Sequence, residues 1–157
     1  MYIGYMGPIV FYTAFNNVIT PSEILRSGEA RWAEHDVMLD KPVSQFIGPS
    51  LEQVGFKILL SKSLGQSPES MLKKLRNMRD TGSVFPLIIG GKPISQNYFR
   101  IMSMDESDMM TDGYGKTISI TVSLSLKEYN ESNVNEEKSL LNQYGKRFNQ
   151  LSTLLGR

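Results

Sequence analysis

The sequence predicts an α+β domain: a twisted antiparallel sheet, folded as a sandwich or open barrel, with one packed helix and a further helix at the C-terminus. Three observations carry this reading. Ile118, Ile120, Val122, Leu124 and Leu126 alternate without error against Thr117, Ser119, Thr121, Ser123 and Ser125, the two-residue period of a strand with one face in the core. Ser67-Pro68-Glu69 opens a stretch in which Leu72, Leu75 and Met78 recur at helical spacing. A polar linker over 130–135 precedes a last apolar stripe of helical period. Residues 1–129 therefore read as one domain, and 130–157 as a linker with an amphipathic helix. A chain of 157 residues suits one domain and buries roughly 70% of its unfolded surface.

Taken in order, residues 1–22 carry no charge before Glu23. No Lys or Arg leads this stretch, and Gly4, Gly7, Pro8, Asn16 and Asn17 interrupt it, which argues against an export signal. It reads as a short entry segment followed by a strand over 9–15. Pro21, Gly28 and the polar residues between them predict a loop. A strand over 29–37 carries Trp32, the only Trp, read as a core anchor whose N–H needs a partner. Pro42 interrupts the chain after that strand, and 45–47 is a short extended piece containing Phe46 and stopped by Gly48-Pro49. Val54, Phe56, Ile58 and Leu60 then alternate in a strand over 53–60.

Ser67 reads as the helix N-cap, Pro68 as its first helical residue, and Thr81-Gly82 as its end. Lys73, Lys74, Arg76 and Arg79 lie on its outer side as a solvated face, or alternatively as one that meets an acidic partner. Residues 85–89 form an apolar run into Gly90-Gly91, a hairpin signal, with a returning strand predicted over 98–104. An acidic loop with Asp105, Glu106, Asp108 and Asp112 leads into the alternating strand. Its Ser/Thr face carries no charge, where a solvent-facing strand usually carries Lys or Glu, so a ring lumen, a wet interface and simple exposure all fit. The final helix over 136–155 has Leu140, Leu141, Tyr144, Phe148, Leu151 and Leu155 along one stripe. It packs on its own sheet, or docks on a neighbouring copy or another protein.

Composition excludes many chemistries. The absence of Cys removes disulfides, thiolate metal sites and cysteine nucleophiles. A single His, His35, leaves no two-imidazole site, and no G-x-S-x-G elbow supplies a serine. The acidic cluster lacks EF-hand spacing, and Gly90-Gly91-Lys92 lacks a P-loop frame. The nine Met residues, with Met102, Met104, Met109 and Met110 close together, read as core filling ahead of an adaptable surface. A formal charge of +1 disfavours generic nucleic-acid and membrane binding, and no segment reaches the ~20 apolar residues of a span. The expectation is a soluble chain made in the cytoplasm, outside most enzyme classes, with no catalytic residue, no metal and no cofactor.

The order of elements resembles the tail protein U (GpU) family of contractile-tailed phages and phage-tail-like bacteriocins, over residues 6–129. Arg31-Trp32-Ala33-Glu34 carries it first, then Pro42 leading into Gln45-Phe46-Ile47-Gly48-Pro49 and the strand over 52–60. Leu75-Arg76, Thr81-Gly82, the apolar strand into Gly90, and Leu126-Lys127-Glu128-Tyr129 complete it. Asn97, Tyr98 and Phe99 stand where the family usually shows a Gly and a Trp. The resemblance implies a tail-tube-like fold and a structural, non-enzymatic role in a phage or bacteriocin particle assembled from chains made in the bacterial cytoplasm, as a ring or adaptor joining tail tube to baseplate hub. Its implied partners are further copies, six in a ring, and other tail proteins of the tube, hub and baseplate, with the tape-measure protein a further candidate. Interface candidates are Trp32 and Phe46, the ladder Thr117, Ser119, Thr121, Ser123 and Ser125, the hairpin region over 82–91, and Tyr144, Phe148, Leu151 and Leu155. A tail completion or terminator protein is the alternative, and a cell-wall-binding baseplate module the alternative of another class.

Overall fold

The computed structural model describes residues 1–130. Twelve strands and one α-helix follow in order: β1 (Tyr2–Met6), β2 (Ile9–Ala14), β3 (Asn17–Ile19), β4 (Pro21–Ser27), β5 (Ala30–His35), β6 (Val43–Pro49), β7 (Gln53–Ser61), α1 (Pro68–Asp80), β8 (Val84–Phe85), β9 (Leu87–Ile89), β10 (Lys92–Pro93), β11 (Tyr98–Thr111) and β12 (Thr117–Tyr129). They form two five-stranded sheets, ordered β10-β9-β1-β2-β3 and β4-β7-β12-β11-β8, and a separate hairpin of β5 and β6. Every pairing is antiparallel, and a sheet curls into a half-barrel.

One core joins these layers. Met6, Ile9, Phe11 and Ile19 of the first sheet meet Val54, Phe56, Ile58, Leu60, Ile120, Val122, Leu124 and Leu126 of the second. Phe11 and Phe56 touch edge to face with ring centres 5.9 Å apart, a favoured aromatic geometry. Helix α1 adds Leu72, Leu75 and Met78 to the same core. The period-two patterns of β7 and β12 thus correspond to one buried face, since β12 pairs β7 along nine positions and puts Leu124 opposite Phe56.

The helix begins and ends where its signals lie. Ser67 occupies the N-cap in extended conformation, although its side chain makes no capping hydrogen bond. Gly82 follows Thr81 with φ +64°, the left-handed backbone that glycine adopts without strain. On the outer side, the Arg76 guanidinium donates to Glu106 at 2.7 Å and Arg79 to Asp80 at 2.8 Å.

Several expectations are corrected. The entry segment contains β1, which lies between β2 and β9. Gly4 makes this possible, because a Cβ there would collide with the Ile88 carbonyl oxygen. The expected loop after Pro21 is β4, an edge strand on β7. An edge tolerates Pro at its first position, since no second neighbour needs its amide. The Gly90-Gly91 turn returns only as β10, and residues 98–111 instead join the other sheet against β12. Asp105, Glu106 and Asp108 therefore lie on β11 and not in a loop. Trp32 is 57% exposed and no core anchor, because its hairpin stands apart from both sheets. The methionines divide: Met6 and Met78 are buried and Met104 packs on the core, whereas Met102, Met109 and Met110 are exposed.

Candidate assembly surfaces

Three features of the surface follow from this architecture. The first is the face of the second sheet turned away from the core. With Ile120, Val122, Leu124 and Leu126 inward, the strand period turns Ser119, Thr121, Ser123 and Ser125 outward, all half-buried. Thr117 departs from this row and is buried, close to the irregular register where β11 and β12 begin to pair. Charge borders the hydroxyl row: Lys57 lies opposite Ser123 on one side and Asp105 on the other, and Lys127 continues the same face of β12 beyond Ser125, opposite Arg100. Lys57 is paired with Glu23 of β4 at 2.6 Å. The edges of this sheet are open among the described residues: β4 has no outer strand, and β11 pairs β8 only at Phe99 and Arg100.

The second feature is the β5–β6 hairpin. Trp32 and Phe46 are register partners with ring centres 5.1 Å apart. Both are more than half exposed, as are Val43 and Ile47, and Met38 and Leu39 at the tip stand almost fully in solvent. His35, the one histidine, meets Gln45 at 3.0 Å on the same hairpin. An isolated two-stranded hairpin is marginal in water, and contiguous exposed apolar area marks an interaction surface.

The third feature is a polar network where the hairpin leaves the second sheet. Glu128 is buried, and its Oε1 accepts from Ser95 Oγ and from Asn97 Nδ2, the latter at 3.1 Å. Its Oε2 accepts the Glu52 amide at 3.1 Å. Glu52 in turn receives a two-pronged bond from Arg26, at 2.9 and 2.8 Å. Burial pushes the Glu128 carboxyl up, but the bonds from Ser95, the Glu52 amide and Asn97, with the Arg26 charge, outweigh it and hold its pKa below the ordinary glutamate range. Sequence reading passed over this network because its members lie on segments far apart in the chain. An acid at an inward position of an alternating strand, Glu128 after Leu126, is the signal that could have found it.

The structure brings Trp32 together with Phe46, and Ser119, Thr121, Ser123 and Ser125 into one row. Tyr144, Phe148, Leu151 and Leu155, with the C-terminal helix they belong to, lie outside the described residues. The predicted hairpin region over 82–91 is divided between the two sheets. Among the described residues, no group of three acidic, His or Cys side chains could hold a metal ion, and no helix is long and apolar enough to cross a membrane.

Open sheet edges, an apolar hairpin and an outward sheet face with a row of hydroxyls are the equipment of an assembly protein, one that works by meeting other chains. The family model Phage P2 GpU matches residues 7–131. The chain belongs to the GpU family of structural phage tail proteins. No curated protein matches it significantly.

Proposed function

We propose that copies of this chain close head-to-tail into a ring of six that joins the tail tube to the baseplate hub of a contractile particle, phage or bacteriocin. The observation that carries the reading is the second sheet, whose edges at β4 and along 101–111 of β11 are both without a strand neighbour among the described residues. A heterologous contact pairing one edge with the other covers both, and it forms a ring when the rotation closes. Ser119, Thr121, Ser123 and Ser125 then face the lumen, where uncharged hydroxyls let DNA or a tape-measure protein pass without adhering. Trp32 and Phe46 are the contacts offered to the adjacent chain, and the stripe of Tyr144, Phe148, Leu151 and Leu155 is a clasp between neighbours. A net charge of +1 lets many copies pack without strong repulsion.

Light scattering after size exclusion, with negative-stain images of the peak, tests this. The expected result is a closed ring of about six times the 17.7 kDa chain mass, either alone or on addition of tube protein. A chain that stays monomeric with tube and hub proteins present overturns it. Labelling of assembled particles at the tube end far from the baseplate replaces the adaptor role with tail completion.

A further inference from the structure

Arg31 of β5, Arg100 of β11 and Lys127 of β12 line one open cavity of about 510 Å³, together with Leu51 and Tyr129. Arg100 and Lys127 are direct register partners, and like charges facing each other across two strands repel. None of the three makes an ion pair among the described residues. The Nε–H of Arg100 is buried with no acceptor, and an unmet donor on a charged group is costly. Glu128 borders the same cavity, but Ser95, Asn97 and the Glu52 amide already engage its oxygens. The cavity therefore offers two guanidinium forks and an ammonium, with an unsatisfied buried donor among them.

We propose that this cavity is a binding site for a carboxylate-bearing peptide segment. A carboxylate accepts two parallel N–H bonds from one guanidinium, which matches the donors on offer, while Leu51 and Tyr129 hold the stem of an acidic side chain. Because Arg31 belongs to the β5–β6 hairpin and Arg100 and Lys127 to the sheet, the bound acid braces one against the other. The cavity wall includes Asn130, and Glu131, Glu136 and Glu137 come next among the acids of the chain. The occupant is this stretch of the same chain, whose acids follow directly on the cavity wall. This proposal stands independently of the ring.

The test is fluorescence anisotropy at low salt, with a labelled peptide copying residues 130–138 as probe. The full-length chain carrying Glu131→Gln, Glu136→Gln and Glu137→Gln is expected to bind the probe saturably. Adding Arg31→Gln and Lys127→Gln weakens binding by about tenfold or more, while Lys73→Gln with Lys74→Gln on α1 leaves it unchanged. If the double variant loses cooperative unfolding, Arg31→Gln alone, on the exposed hairpin, gives the same comparison. The unsubstituted chain is expected to bind the probe more weakly, because its own segment competes; equal binding there overturns the assignment of that segment as occupant. Failure of the substituted chain to bind, or equal loss in the α1 variant, overturns the proposal.

Discussion

Glu128 concentrates several physical demands in one side chain. It lies at an inward position of β12, where burial alone favours its neutral form, yet three donors favour the carboxylate. Its folded pKa lies below the ordinary range, so the sign of the linkage is fixed. The stabilisation is present above the unfolded pKa and is lost as pH falls through the folded value. Urea midpoints are expected to fall as pH drops below the ordinary carboxylate range, and Glu128→Gln should flatten that slope. An unchanged slope would show that the donors do not discriminate between the two protonation states. Gly4 makes a simpler demand, for space. Gly4→Ala should destabilise by about 2–4 kcal/mol, read from the same midpoints, because its Cβ meets the Ile88 carbonyl of a neighbouring strand.

At the scale of elements, the β5–β6 hairpin and the core behave independently. No hairpin residue belongs to the core cluster. Trp32→Ser with Phe46→Ser should therefore change the melting temperature little while impairing assembly, monitored by light scattering. A drop in melting temperature comparable to that of a core truncation would show that the hairpin packs into the fold. The contrasting case is Leu124→Ala in β12, which should cost about 2–5 kcal/mol, since Leu124 sits in the core opposite Phe56. Removal of residues 130–157 should leave a cooperatively folding domain, because every residue of the described core precedes them. Loss of the cooperative transition in circular dichroism would place that segment in the core.

Across the whole molecule, legibility followed the range of the forces involved. The strands β7 and β12 and the helix α1 were readable because their signals, alternation and capping, are complete within a dozen neighbouring residues. β4 is not, because residues 53–58 elsewhere make it a strand. Nor is β1, because Gly4 weakens its strand pattern and part of its pairing is to the distant residues 87–89 besides the adjacent β2. The path after Gly90-Gly91 is illegible for the same reason, since a turn reveals reversal but not which sheet receives the chain. Among the surface features, the Ser/Thr row was visible as a pattern. Trp32 reads from the sequence both as a core anchor and, with Phe46, as an interface candidate; only the hairpin's separation from the sheets makes the two an exposed pair. The Glu128 network was invisible as a set, because tertiary contact alone unites its members.

The order of strands in the second sheet has a consequence for biosynthesis. β12 lies at the centre of that sheet and is the last of its strands to leave the ribosome. Before it arrives, β4–β7 and β11–β8 are two unconnected ribbons with no bond between them. Each then presents an unpaired inner edge and an uncovered apolar face, the state most prone to aggregation during synthesis. A chain interrupted before residue 117 would thus yield two exposed halves and not a smaller stable domain. Chaperone demand should be greatest in the interval just before β12 emerges.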